Sequence, residues 1–574
     1  MKNKIFFLIV FVFAVFGCKN DDDVQVRTGD IKITVLTESN AIFSGAIVKI
    51  LPNDIEKITN ESGEVFFEDL SEGTYTIIVS VPGDTINEEF VIEPDQLNLL
   101  TIIVDDITVI EPDPLDINFL INTIYARLKD DTLFDSGGYS MYWGDIGVDV
   151  VSTNTTVSSN YRDLDKFELS PTNTIINDVW VSHYETIIEA NTGIEFLESI
   201  DPISNPEIDK ELLTGELRFL RALLYFNLVK LYGNPVLTTS GNNIDINNPP
   251  VFIQDTEQVY DLIIADLEYA QENLVVSGPN NRASVAAAEA LLGKVYIQMA
   301  GFPLFQTDKY QKALEQFEKL RGRFNLEPNY EDVFDVLNEV NNSEIIFSID
   351  FSADNPNEGS NYGVLWGPLG LAIEDNLILV PSFVENYFEG PINFPINTND
   401  QRFNQNIATF TVQNGIATNT EDIANWRPYK FKKDVSSPVI RNGESFDFPY
   451  LRYADILLLL AEAENAINGP TPAAYDAINT VRRRAFGSVD YELAEGLNQE
   501  EFLDAILNER QLELCFEGHR KDDLIRTQKL ESTINSFNID NPENIKDFQS
   551  HEFIWPIPQI EIDLNPNTIQ NPGY

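Results

Sequence analysis

The sequence predicts a mainly α protein: a scaffold of paired amphipathic helices, broken by a long loop-rich insertion and preceded by a small all-β sandwich. Three observations lead there. From residue 30 to 106 apolar side chains alternate with a period of two. From 115 onward they recur at i, i+3, i+4 and i+7, and between roughly 325 and 450 both periods dissolve into Gly, Asn, Pro and aromatic residues. At 574 residues and 43% hydrophobic content, the chain can bury a large core.

The N-terminus comes first. Lys2 and Lys4 precede an uncharged apolar run from Ile5 to Phe16, and Gly17-Cys18 follows. A basic segment, a short apolar stretch and a small residue before the cut describe a secretory signal over 1–17. The run is shorter than the roughly 20 residues a membrane-spanning helix needs. The cut before a cysteine makes it a lipoprotein signal, with Cys18 acylated as the mature N-terminus and anchored in outer-membrane lipid. Residues 18–29 form an acidic tether. Its run Lys19-Asn20-Asp21-Asp22-Asp23 reads equally as a solvated linker or as a signal resembling the one that exports Bacteroidota lipoproteins to the outer face of the outer membrane.

Residues 30–106 read as strands. Ile31-Lys32-Ile33-Thr34-Val35, Ile47-Val48-Lys49-Ile50 and Tyr75-Thr76-Ile77-Ile78-Val79 alternate, and Ser62-Gly63 and Glu72-Gly73 mark turns. Gly63 to Leu70, followed by Gly73-Thr74-Tyr75, resembles a carboxypeptidase-regulatory-like or prealbumin-like β-sandwich. A proline-stiffened linker spans 107–114. The domain 115–574 follows, with helical segments at about 177–200, 257–276, 284–300, 308–321, 453–467, 473–485 and 499–518, and a further one through Glu216–Phe226. Their pairing is tetratricopeptide-like, without a strict 34-residue repeat. Ala286, Ala287, Ala288 and Ala290 allow close helix approach.

Composition narrows the function. The net charge of −54 grows more negative once Lys2 and Lys4 leave, so nucleic acid is a poor partner and a neutral ligand a better one. Cys18 and Cys515 are the only cysteines, and Cys515 lies in the apolar run Leu512 to Phe516, which suits a buried inert thiol. The three histidines are scattered, and no HExxH, Gly-x-Ser-x-Gly or phosphate-binding glycine loop exists. No cofactor and no catalysis are expected.

Leu451-Arg452-Tyr453-Ala454-Asp455 through Ala463, Val481-Arg482-Arg483-Arg484-Ala485, Glu509-Arg510 through Leu524, and the ending Trp555-Pro556-Ile557-Pro558 to Gly573-Tyr574 together resemble the SusD/RagB family. Arg218 to Phe226 and Trp180 to Asn191 match as well. The resemblance covers 115–574. It implies a surface lipoprotein of the outer membrane that captures oligo- or polysaccharide and presents it to a SusC-like, TonB-dependent transporter; a few relatives take peptides. Peptide capture or adhesion through the β-sandwich is the alternative, and a surface glycoside hydrolase a third reading. Arg452, Asp455, Glu462, Glu509, Arg510, Glu513, Glu517 and Arg520 read as scaffold charges paired near i, i+3 and i+4. Trp180 and Trp555 read as core.

Sugars are held by stacking on aromatic rings, with polar groups satisfying their hydroxyls, so aromatics in polar Gly-rich loops are the candidates. The resemblance draws the ligand platform from two regions. The first supplies Tyr139, Tyr142, Trp143, Asp145, Asn154, Asn160 and Tyr161. The second supplies Asn361, Tyr362 and Trp366, with Trp426 as a further candidate.

Overall fold

The computed structural model describes residues 27–574 apart from 38–41, 44, 54, 61, 82–83, 95, 105–115, 136–143, 156, 202–204, 207, 242–255, 277, 340–341, 354–357, 373–376, 389, 391, 393, 395, 397, 437–439 and 566. Cys18, the signal, most of the tether and the 107–114 linker therefore lie outside the described residues. Two compact units divide after residue 114.

The first unit has seven strands: β1 (Thr28–Thr37), β2 (Ile47–Leu51), β3 (Ile55–Ile58), β4 (Glu64–Ser71), β5 (Gly73–Val81), β6 (Asp84–Ile92) and β7 (Leu97–Val104). They form two sheets, β4-β1-β7 and β3-β2-β5-β6, with β1 and β7 parallel and every other pair antiparallel. The period-two pattern explains the packing. Ile31, Ile33 and Val35 of β1 and Ile77 and Val79 of β5 face one shared core, while alternate residues face outward. Gly63 turns into β4 with φ +69°, where a Cβ would sit 2.8 Å from the Val35 carbonyl oxygen.

The second unit is helical. Its main helices are α1 (Ile117–Arg127), α2 (Ser159–Lys166), α3 (Thr174–Ser199), α4 (Lys210–Tyr232), α5 (Thr256–Asn273), α6 (Val285–Ala300) and α7 (Lys309–Glu318). They continue with α8 (Tyr453–Asn468), α9 (Pro472–Phe486), α10 (Gln499–Glu513), α11 (Arg520–Arg526) and α12 (Leu530–Asp540). Local signals set their ends. Asn173 caps α3 by accepting from Ile175 N, Thr471 precedes Pro472 at the start of α9, and Asn498 with Glu501 forms a capping box on α10. From α3 to α7 each helix packs on the next, and α8 packs on α7, α9 and α10. The buried alanines of α6 permit this closeness, and a Cβ on Gly293 would meet the Phe317 ring of α7 at 2.2 Å. Among the described residues no helix is long and apolar enough to cross a membrane.

Trp180 and Trp555 are core residues. Tyr232 stands edge-on to both, at 4.9 and 5.7 Å. Asn571 donates to the carbonyls of Tyr232 and Trp555, so the end of the chain closes over α3 and α4.

The 325–450 region is not a surface loop but a folded lobe of short elements. Strand Ile345–Ile349 pairs with Phe448–Arg452, Leu377–Leu379 with Val151–Thr153, and Phe410–Gln413 with Ile416–Asn419 through an Asn414-Gly415 turn in which both residues have positive φ.

Buried charge joins this lobe to the C-terminal helices. Glu513 Oε1 accepts from Arg452 at 2.7 Å and from Arg484 at 2.5 Å, and Glu513 Oε2 accepts from Arg402 at 3.1 Å. Arg452 also bonds Glu344 and Glu517, Lys430 bonds Glu517, and Arg402 bonds Asp400 and Glu509. Asp455 is shared by Lys294 and Arg510, and Arg526 joins Glu462 to Asp523. The scaffold role holds, but the expected i, i+3 and i+4 spacing does not. Apart from Arg526–Asp523, these pairs mostly join distant segments, because each helix presents its charges inward to a neighbour.

Burial opposes ionisation of Glu513, yet Arg484, Arg452 and Arg402 hold its carboxyl well below the usual range. Removing one member strands the others, at roughly 3–5 kcal/mol. Arg452→Met should lose about that much at pH 7 in denaturant unfolding. A depressed carboxylate stabilises above its unfolded value of about 4.3 and loses this as pH falls, so the gap between wild type and variant should narrow towards pH 2. A loss under about 1 kcal/mol at pH 7 would refute a structural role for the network.

Candidate functional site

The two regions marked for the ligand meet at a buried polar clasp. The Asp135 carboxylate accepts from Asn361 N and from Asn361 Nδ2, both at 2.9 Å. Asn361 Oδ1 accepts from Asn442 N at 2.8 Å, and Asn361 Nδ2 also donates to Asn442 Oδ1 at 2.6 Å. Next to them Ser360 N donates to the Glu444 carbonyl. Asp135 ends one flank of the 136–143 stretch. The other flank is pinned by Asp145, whose Oδ2 accepts from Gly518 N at 2.8 Å. Gly144 lies so close to Gly518 that a Cβ there would be 2.0 Å from its carbonyl oxygen. Tyr139, Tyr142 and Trp143 fall between these anchors and lie outside the described residues.

Several other candidates are corrected by burial. Tyr362 is fully buried and stacks on Phe448 at 5.4 Å and 10°. Trp366 is 2% exposed and packs against Phe516 at 6.0 Å. Trp426 is fully buried, edge-on to Phe403, with Nε1 donating to the Thr420 carbonyl. None of the three offers a ring face to a sugar. Asn361 is spent in the clasp. Asp145 is fully buried and bound to Gly518 N, so it is an anchor rather than a ligand contact, and burial first, with Glu517 adding, pushes its carboxyl up to about 8 against the Gly518 N–H and Lys430.

Asn154, Asn160 and Tyr161 are half-buried near the start of α2. Asn160 Nδ2 donates to Thr174 Oγ1 and its carbonyl accepts from Asn173, so it braces the start of α3. Asn154 Oδ1 accepts from Thr155 Oγ1, and Tyr161 packs on the core margin. Cys515 is buried, and burial pushes its thiol up to about 11, which leaves it inert.

A pocket of about 260 Å³ opens between the end of α1, the loop before α6 and the end of strand Ile345–Ile349. The sequence candidates do not line it. Tyr125 and Arg282 form its wall, with the guanidinium 4.3 Å over the ring. Arg282 donates to Asn122 Oδ1 and pairs with Glu216, which also accepts from the Tyr125 hydroxyl. Lys129 and Glu358 meet at 3.5 Å on its rim, and Asn281 and Asp350 complete it. Preformed amide, guanidinium and carboxylate groups around one tyrosine suit a polyhydroxylated ligand. The volume lies just under the ~300–1,000 Å³ of drug-sized sites and fits one unit of a longer chain. Sequence reading missed these residues because Tyr125 sits on an ordinary amphipathic helix, Lys129 in the turn that follows it and Arg282 in a short turn.

A model described as the SusD family matches residues 385–574, and one described as starch-binding, associating with outer membrane, matches 105–297. "SusD-like protein P25" of Formosa agariphila is 27% identical over 520 residues, 80% of this chain and 92% of that one. A crystal structure of a SusD homolog from Bacteroides thetaiotaomicron superposes with a TM-score of 0.69 at 25% identity, over 80% of this chain and 97% of that one. A laminarin binding SusD-like protein superposes at 0.64 with 23% identity, over 80% and 99%.

Truncating Trp366 or Trp426 to Ala should act through stability, lowering it by roughly 3–5 kcal/mol. Unfolding curves check this. Either variant melting like the wild type would return that ring to the list of ligand contacts.

Proposed function

Since the chain is a SusD-like protein, we propose that it is a cell-surface glycan-binding lipoprotein, anchored through Cys18, that captures oligosaccharide and hands it to a SusC-like TonB-dependent transporter. One observation carries the ligand part of this reading. The polar pocket is preformed, with Arg282 already bonded to Asn122 and Glu216, and Asp135 and Asp145, which bracket the 136–143 stretch in sequence, are each held by buried hydrogen bonds. Rigid flanks lower the ordering cost of binding. The family description as starch-binding and the laminarin binding neighbour support a carbohydrate class, and the net charge of −54 favours a neutral one. The protein then acts by binding rather than by catalysis.

A second reading, adhesion through the β-sandwich, draws on Leu97, Leu99 and Ile103, which leave one face of β7 apolar and exposed.

Calorimetric titration with neutral oligosaccharides, paired with a melt on each variant, tests the site. Trp143→Ala or Arg282→Ala should weaken binding about tenfold or more, since a central contact is worth 2 kcal/mol or more and 1.4 kcal/mol is one decade, while the Trp143→Ala melt moves little and the Arg282→Ala melt falls with the loss of its Glu216 partner. Full affinity in both variants would place the ligand elsewhere.

The anchor and the partner are checked in membranes. Cys18→Ala should release the protein from the membrane fraction, and pull-down of the wild type should recover a β-barrel transporter in near-equal amount. Retention of the variant, or recovery of the protein alone, would overturn the respective claim.

A further inference from the structure

A second pocket, of about 300 Å³, opens on the lobe and is lined by the turn Tyr330–Phe334 with the residues after it, by the short helix Arg402–Asn406 and by Lys432. Phe334, Val336 and Phe446 make the apolar part of its wall. Two polar groups in this wall are left over from the packing. Gln405 is 4% exposed, and its Nε2 donates to the Lys430 carbonyl at 2.7 Å, which settles the orientation of the amide. Its Oε1 is then a buried acceptor that no protein donor reaches, a cost folded proteins rarely carry without a use. Among the described residues Lys432 has neither an ion pair nor a hydrogen bond, whereas Lys430 pairs with Glu517 and Lys433 with Glu444. Burial pulls the Lys432 ammonium below its ordinary value, with Glu331 opposing. Glu331, Asp332 and Asp335 bring carboxylates to the same wall. Asn329 Nδ2 donates to Asp332 at 2.8 Å and Leu337 N to Asp335 at 3.0 Å, so two of the three are held in place.

We propose that this pocket is a second saccharide site, taking one neutral hexopyranose unit through its hydroxyls, apart from the pocket walled by Tyr125 and Arg282. Charge removes the other ligand classes. Three carboxylates repel an anion, and the unbonded Lys432 ammonium repels a cation. A neutral group must therefore donate to Gln405 Oε1 and accept from Lys432 Nζ. A hydroxyl does both. An amide also does both, but it carries few donors, and the three carboxylates are acceptors as well. A ligand with an O–H on nearly every carbon satisfies them together with Gln405, and its C–H face meets the apolar wall. The volume stands at the lower bound of the ~300–1,000 Å³ range of drug-sized sites, which suits one sugar unit. No residue is shared between the two pockets, so each can fill without the other. The inference rests on the reading of the chain as glycan-binding and adds to it. Two weak sites on one chain hold a polysaccharide at two points, which raises avidity without a new contact.

Calorimetric titration of the mature protein with neutral trisaccharides of the malto, laminari, cello and manno series tests this. The saccharide that binds should fill two sites per chain. Lys432→Met should weaken one of them about tenfold, as the loss of a charge-assisted hydrogen bond does, and leave the other unchanged. Arg282→Ala should do the reverse. Lys432 is half-buried and unbonded, so the Lys432→Met melt should match or exceed that of the wild type, which separates a lost contact from a lost fold. The uronic-acid counterpart of the bound sugar should fail at the Lys432 pocket. One site per chain, lost in Arg282→Ala and untouched in Lys432→Met, overturns the second site and leaves the glycan-binding reading standing. Absence of binding by every trisaccharide counts against both.

Discussion

Glu513 sits fully buried between three guanidinium groups drawn from three distant places in the chain, Arg402, Arg452 and Arg484. An isolated carboxylate could not stay ionised there, and three isolated arginines could not be buried. The arrangement exists only if the 325–450 lobe, the start of α8, the end of α9 and the end of α10 come together at once. Stability gained this way is modest against an apolar equivalent, since desolvation offsets most of the attraction. What it enforces is register: a helix slipped by one turn would leave a charge unpaired.

The site depends on the same turn of chain. Past Glu513, Glu517 takes Lys430 and Arg452, Gly518 pins Asp145, and Arg520 pairs with Asp149. The segment that closes the ionic network therefore also fixes one base of the 136–143 stretch. The other base is fixed by the lobe, through Asn361 on Asp135, with Asn361 held in turn by Asn442. The scaffold and both flanks of this stretch are thus held by the same segments of chain.

The helices were legible because each carries its own signals: apolar spacing, Asn and Thr caps, and a glycine after α4 and α9. The sandwich was legible for the same reason at period two. The site was legible only as chain regions. Asn361 does lie where 135 and 442 converge, but as a clasp, and Tyr362, Trp366 and Trp426 proved to be the core of the lobe. In irregular backbone no periodicity says which face of a ring is covered, and the covering residues, such as Phe516 on Trp366, come from far along the chain.

By itself the sequence determined the two-part architecture, the helical scaffold, the core role of Trp180 and Trp555 and the scaffold role of charges such as Arg452, Glu513 and Glu517, because period, capping and residue type act over a few residues. Only the tertiary structure decided which charges pair, that the loop-rich stretch is a folded lobe, and that Tyr125, Lys129, Arg282 and Glu358 share one pocket. Those are facts about residues brought together from separate elements, often tens to hundreds of positions apart, and a buried pair or a pocket wall is set by what arrives from the other side, which no local pattern records.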